Sequence, residues 1–380
     1  MSLTGWSFPV LLAVLVAVAG GGLVAGWPRL SAPGWGHVAG RAGSLLGLNV
    51  LVLLLVGALM NAEFLFFASW TDLATSLTGQ PAGVPSDGGG RAADAATARV
   101  HGVAAVAATR LPPLPPEATR DRWLTYQVHG DASGLSGRVV VELPPGYTDP
   151  RQARVRYPVL ETFAGYPGEP EQWVGAMNLG HELPDAVAAR RLRPALVVSP
   201  QTEFPAGVDT ECVDGTPGRP QVETWLAHDV PAWVARTFRV GTDRGSWTTI
   251  GLSAGGWCAA MVAMRHPAQF AAAIVMGGYF RPQFGPLYRP LRPGSPQAEA
   301  YDLVALARRA PPPVALWLET SHADRTSYGS SAALLAAARP PLAVRATVLK
   351  DAGHRLAVWR ALLSTALTWL GTDVPGFTAH

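Results

Sequence analysis

Charge is scarce in this chain of 380 residues, in which only 15% are Asp, Glu, Lys or Arg, against roughly 25% in an average soluble domain. Hydrophobic residues make up 48% and the mean hydropathy is +0.17, so disorder is excluded and part of the chain is expected in lipid. The 30 basic residues form no Lys/Arg-rich run and the net charge is only +3, which leaves no basic stripe for a phosphate backbone and no nucleic-acid partner. The two cysteines, Cys212 and Cys258, are too few for a disulfide scaffold or a four-thiolate zinc site, but enough for one bridge. Walker A and G-x-G-x-x-G patterns are missing, so nucleotide use has no support. The 41 glycines and 34 prolines follow no G-X-Y period or longer repeat, which excludes a collagen or a solenoid.

Two motifs start well and fail. His181-Glu182-Leu183-Pro184-Asp185 opens like the zinc helix H-E-x-x-H, but Asp stands fifth and Pro184 is expected to disrupt the helix. No metal and no other cofactor is expected. In His228-Asp229 the neighbours would point about 100° apart on a helix, so the pair reads as a cap ahead of Pro231.

Long apolar runs are what the sequence does have. Ser7 to Gly26 and Ala42 to Ala62 carry no charge, and each is long enough to cross a bilayer. Trp6 and Trp27 bracket the first, and Phe64, Phe66, Phe67 and Trp70 follow the second as an interfacial aromatic belt. Residues 1–74 therefore read as a membrane anchor of two helices. Arg29 and Arg41 lie between the runs, and the positive-inside rule puts that segment in the cytoplasm and everything after residue 70 outside.

Residues 75–121 are rich in Ala, Gly and Pro and read as an extended tether. A folded domain over 122–372 follows, with a short tail at 373–380. In the domain, apolar β-rich runs (WLTYQV, GRVVVEL, YPVLETF, PALVVSP, SWTTIGL, AAAIVMG, PVALWLE and VRATVL) alternate with helical stretches at 222–238, 257–266 and 330–338. Several are apolar throughout, as strands buried on both faces should be. The fold class is α/β, a mostly parallel sheet covered by helices on both sides.

The run SWTTIGL leads through Gly251-Leu252-Ser253-Ala254-Gly255 into a helix starting near Trp257. That is G-x-S-x-G between strand and helix, where small neighbours let a strained serine stand above the sheet. A serine hydroxyl needs a histidine to take its proton. His354, in KDAGHR after VRATVL, is the expected base, and His322 is its rival. The acid that orients the imidazole should follow PVALWLE. Asp324 and Glu319 are both candidates, and Asp324 is preferred because it lies on the loop. The order Ser, Asp, His is that of the α/β-hydrolases. An oxyanion hole needs two fixed N–H groups: the Ala254 amide comes with the elbow, and the Tyr166 amide is chosen from the loop Phe163-Ala164-Gly165-Tyr166-Pro167-Gly168.

With GLSAGGW, the AGYPG loop, the AGH ending, LPPGYTDP before YPVL, and ECVDG before VETW and DVPAW, residues about 123–372 resemble the esterase D and antigen 85 (mycolyltransferase) group. The likeness is to its membrane-anchored actinobacterial branch. The resemblance implies an α/β-hydrolase fold, with Ser253 as nucleophile, His354 as base, Asp324 as acid, and Tyr166 and Ala254 as oxyanion donors. Relatives often have His-Gly or Asp-Gly where this chain has Ala164-Gly165. Antigen 85 proteins use a glutamate as the acid, which keeps Glu319 open. The resemblance also brings Cys212 and Cys258 near each other, either bridged or as two buried thiols. The implied substrate is a carboxylic ester, with cell-envelope lipid or glycolipid as candidates, and water or a sugar hydroxyl accepts the acyl group. A non-catalytic glycolipid-binding module and a peptidase of the same fold are the alternatives. The aromatic, arginine-bearing stretch Gly277 to Pro296 is a candidate substrate wall.

Overall fold

A computed structural model describes residues 3, 5–64, 66–67, 69–77, 123–285 and 288–379. Beyond residue 77, the expected tether lies outside the described residues. The chain divides into two compact units, residues 1–83 with 351–355, and residues 84–350 with 356–380.

In the first unit, α1 (Ser7–Leu30) and α2 (Trp35–Phe64) are long and apolar enough to cross a membrane, with mean hydropathies of 2.4 and 2.3 over their most apolar windows. Both outrun the uncharged runs that predict them. Arg29 lies in the last turn of α1, and His37 and Arg41 lie on α2 rather than in a loop. An apolar run marks what lipid demands, whereas a helix continues until its backbone is interrupted. Here that happens at the turn before Trp35, where Gly34 takes a φ of +128°. The side chain of Asn61, near the end of α2, both donates to and accepts from the backbone of Phe67 (3.0 and 2.7 Å). A short helix, α3 (Trp70–Leu77), follows. Trp70 meets the Phe8 ring edge-on, and Phe67 lies under the Arg355 guanidinium, so these two aromatics of the expected belt pack on protein.

The second unit is built on an eight-stranded sheet in the order β1-β2-β4-β3-β5-β6-β7-β8. The strands are β1 (Trp123–His129), β2 (Ser136–Glu142), β3 (Val159–Phe163), β4 (Leu196–Pro200), β5 (Trp247–Leu252), β6 (Ala272–Met276), β7 (Ala315–Ser321) and β8 (Ala343–Leu349). The β1–β2 hairpin and its pairing to β4 are antiparallel, and β3 to β8 run parallel. All eight fall on the runs predicted from sequence. Every residue of β3, β4, β5 and β6 is buried, which explains why those runs are nearly unbroken in apolar residues.

Helices cover the sheet: α4 (Leu179–Ala188), α5 (Val222–Thr224) continuing through a π-helical turn into α6 (Val230–Thr237), α7 (Ala254–Arg265), α8 (Pro296–Glu299), α9 (Leu303–Arg309), α10 (Tyr328–Ala337) and α11 (Leu356–Asp373). Residues 254–264 of α7 are all buried, so that helix is small and apolar all round rather than amphipathic. Two expectations need correction. Pro184 does not end its helix, since α4 runs through it and forgoes only the bond that a proline cannot donate. Asp229 caps no helix of its own; its two oxygens accept the Ala132 and Ser133 amides (3.0 and 2.9 Å), bracing the β1–β2 turn.

Candidate active site

Ser253 joins β5 to α7 at φ 54° and ψ −124°, a conformation an L residue keeps only when its surroundings over-determine it. Those surroundings are two glycines. A Cβ on Gly251 would fall 1.8 Å from the Gly255 carbonyl oxygen, and one on Gly255 would fall 2.2 Å from that of Phe163. The Ser253 amide donates to the Met276 carbonyl (2.8 Å), tying the elbow to the end of β6. Helix α7 begins at Ala254, not near Trp257, so no spare turn separates Ser253 from the helix. As the first helical residue, Ala254 has an amide with no intrahelical acceptor, at the positive end of the helix dipole.

The loop after β3 lies against this elbow. A Cβ on Gly165 would come within 2.7 Å of a Leu252 methyl and 3.2 Å of the Leu252 carbonyl oxygen. Its amides have distinct fates. The Gly165 N–H donates to Gln172 Oε1 (2.9 Å) and the Gly168 N–H to Glu203 Oε1 (3.0 Å). Pro167 has none, and the Tyr166 N–H makes no hydrogen bond among the described residues.

A shallow pocket opens between this loop, Ala254 and the segment after β4. Its walls are mixed, with Thr202, Glu203, Asp209, Thr210 and Glu211 beside Ala164, Gly165 and Tyr166, and a Cys212–Cys258 disulfide lines it as well. The bridge ties the segment after β4 to α7. Glu211 and Cys212 sit at φ 50° and 52°. The Trp257 indole donates to the Glu211 carbonyl (2.7 Å) and the Tyr279 hydroxyl to Glu211 Oε1 (2.6 Å). Burial, then the nearby Asp209 charge, pushes the Glu211 carboxyl up to about 8, and burial first of all raises Asp209 to about 6. Tyr279, through its hydroxyl, and Gln283, through its backbone, bring the Gly277–Pro296 stretch to Glu211.

Of the two candidate acids, Glu319 lies within β7 and Asp324 on the loop after it. Glu319 accepts the Gly277 amide (3.0 Å). Burial, then the Asp324 charge, raises it to about 8 against the Gly277 amide and the Trp359 side chain, which favours its neutral form. Asp324 accepts the Thr326 amide (2.9 Å) and the Ser327 hydroxyl (2.6 Å), which shapes the turn into α10. The rival histidine, His322, is exposed, its ring beside Tyr328.

His354 is partly buried in the loop 351–355, which belongs to the first unit, whereas Ser253, Glu319 and Asp324 belong to the second. Next to it, Arg355 makes a buried two-pronged ion pair with Asp72 of α3 (2.5 Å at each oxygen). Asp72 also accepts the Gly353 amide (3.1 Å), and Arg355 donates to the Phe66 carbonyl and the Ser76 hydroxyl (both 2.8 Å). Sequence reasoning misses this cluster, because nothing local pairs residues 72 and 355. It misses Gln172 and Glu203 for the same reason.

The family model Esterase matches residues 133–370, which takes in the elbow, the loop after β3 and every triad candidate. The chain belongs to the Esterase family. Its fold is that of the α/β-hydrolases, shared with three solved structures that show the fold alone at their low identity. A ferulic acid esterase is 18% identical with a TM-score of 0.55, covering 65% of this chain and 96% of that one. An S-formylglutathione hydrolase from Agrobacterium tumefaciens is 16% identical with a TM-score of 0.55, covering 66% and 94%. The fluorophosphonate-binding serine hydrolase FphF of Staphylococcus aureus is 15% identical with a TM-score of 0.53, covering 66% and 98%. An uncharacterized Corynebacterium glutamicum protein is 31% identical to this Esterase-family chain over 154 residues, 40% of this chain and 35% of that protein. The match thus spans about a third of that relative.

Proposed function

We propose that the protein is a serine hydrolase of carboxylic esters, held at the outer membrane face by α1 and α2, with Ser253 as nucleophile. The observation that carries this is the Ser253 backbone, held at positive φ by glycines that nothing larger can replace. His354 takes the hydroxyl proton as Oγ bonds to the acyl carbon. The carbonyl electron pair moves onto oxygen, where the Ala254 and Tyr166 amides receive the charge. Return of that pair breaks the ester C–O bond, and the leaving alkoxide takes the proton from His354. Water, deprotonated by the same histidine, then releases the acid and frees Ser253. Asp324 holds the imidazole and balances its charge; the neutral state of Glu319 favours Asp324 in that role.

The acidic and threonine side chains beside Ala254 and Tyr166 support short or polar esters over long lipid acyl chains. Full-length protein in detergent should label with a fluorophosphonate probe, and Ser253→Ala should abolish labelling. Absent labelling, or labelling that survives the substitution, defeats the reading. A p-nitrophenyl ester series should peak at short chains. Acyl transfer to a sugar becomes the better description if an added polyol yields its ester faster than the free acid forms.

The outward topology draws on Arg29 and Arg41 flanking the short turn between the spans, and on the disulfide, which persists in oxidising compartments. Protease added to intact spheroplasts should remove the catalytic domain; full protection would reverse the orientation.

A further inference from the structure

The loop from Gly165 to Gly168 has three backbone donors, and two of them are already taken. Gln172 Oε1 holds Gly165 and Glu203 Oε1 holds Gly168, on either side of Tyr166. The second oxygen of Glu203 accepts the Gly207 amide (2.7 Å), and the Tyr166 hydroxyl donates to the Gly207 carbonyl (3.1 Å). A single buried carboxylate thus ties the loop after β3 to the segment after β4. Bonds of an ionised carboxylate to backbone N–H are among the stronger ones in proteins.

Both clamps are themselves held. The Gln201 side chain donates to the Glu203 carbonyl (2.7 Å) and accepts the Arg138 amide (3.2 Å). The Arg138 guanidinium pairs with Glu169 (2.6 Å) and Glu171, just before Gln172. Gly168 has no slack, since a Cβ there would lie 2.1 Å from the Gly165 carbonyl oxygen. A loop with three unpaired amides would hydrate and reorient. With its flanking amides occupied, this one offers a single N–H at a fixed place.

We propose that Glu203 and Gln172 are positioning residues of the oxyanion hole, which engage the amides flanking Tyr166 so that its N–H alone faces the developing negative charge. The proposal rests on the serine-esterase reading. Neither residue touches the reacting atoms, so the effect should appear in the transition state and not in ground-state binding.

The test uses full-length protein in detergent, with p-nitrophenyl acetate as substrate and a methylboronic acid as the tetrahedral mimic. In Glu203→Gln one oxygen becomes an NH2 group facing a backbone N–H. We expect kcat to fall about 10- to 100-fold with KM within about twofold, and boronate affinity to weaken in parallel. Glu203→Asp should recover part of the loss, and Gln172→Met should show the same split. Rates are taken per site titrated by fluorophosphonate, so misfolded protein does not count. Unchanged kcat per titrated site in both Glu203→Gln and Gln172→Met overturns the proposal, as does a loss carried by KM alone. If wild type neither turns over ester nor labels, the esterase reading itself fails and takes this with it. If wild type is active and both variants match it, only the positioning role is lost.

Discussion

Two carboxyls near the ends of neighbouring elements compete for one role, and their surroundings separate them. Glu319 is enclosed in β7, raised to about 8 and bonded to the Gly277 amide. A neutral carboxyl does little for an imidazolium. Asp324→Asn should therefore lower kcat by about 10³- to 10⁴-fold, while Glu319→Gln, which retains an acceptor for Gly277, should cost less than about tenfold. The reverse order, read on p-nitrophenyl acetate, would move the acid to Glu319. Sequence alone ranked these residues only by their place relative to a strand end. What sets Glu319 apart is a long-range contact to residue 277, which no local pattern contains.

Among elements, the strands were the most legible. Their β-branched runs are continuous because both faces of the parallel sheet are covered, and the elbow was readable because its glycines are forced by backbone atoms less than 2.5 Å from any added Cβ. Helix ends were less legible. Nothing in the composition of Gly26 to Ala42 announces that α1 and α2 continue to a turn at residue 34, and Asn61, Gln172 and Glu203 act through partners their sequence neighbours do not reveal. The Cys212–Cys258 bridge joins the segment after β4 to α7 across 46 residues. A loop of that length corresponds to about 4 kcal/mol in the chain-entropy model, with about 2–4 kcal/mol typical in practice. Cys212→Ala/Cys258→Ala should lower the urea midpoint accordingly. It should also reduce turnover, because Glu211 and the pocket wall lose their tie to the elbow helix. An unchanged midpoint would mean that the bridge adds nothing to stability.

At the scale of the whole molecule, buried carboxyls set the pH response. Glu161 is fully buried in β3, and both its oxygens lack a partner among the described residues; burial raises it well above the usual range. Glu211 and Glu319 are raised to about 8. In each, the fold binds a proton that the unfolded chain releases near its ordinary pKa. Their contribution to stability is complete below about pH 4.5 and is lost as pH rises through the folded values. Glu223 works in the opposite sense. Burial raises it, but hydrogen bonds from His266, Arg265 and Tyr301 and the Arg265 charge outweigh that and hold it at about 2. Its contribution is present above about pH 4.5 and disappears as pH falls toward 2. The denaturation midpoint should therefore peak on the acidic side of neutrality and decline between pH 5 and 9. Glu161→Met should flatten that decline. A midpoint that climbs steadily with pH would contradict the assignment.

The Asp72–Arg355 pair bears on how the enzyme can be handled. Trimming away the apolar N-terminus is the usual route to a soluble hydrolase, and a cut anywhere after residue 72 would leave a guanidinium without its counter-ion on the residue beside His354. The same cut removes the Asp72 oxygen that accepts the Gly353 amide, so a sluggish trimmed enzyme would report a loosened 351–355 loop and say nothing about a need for lipid.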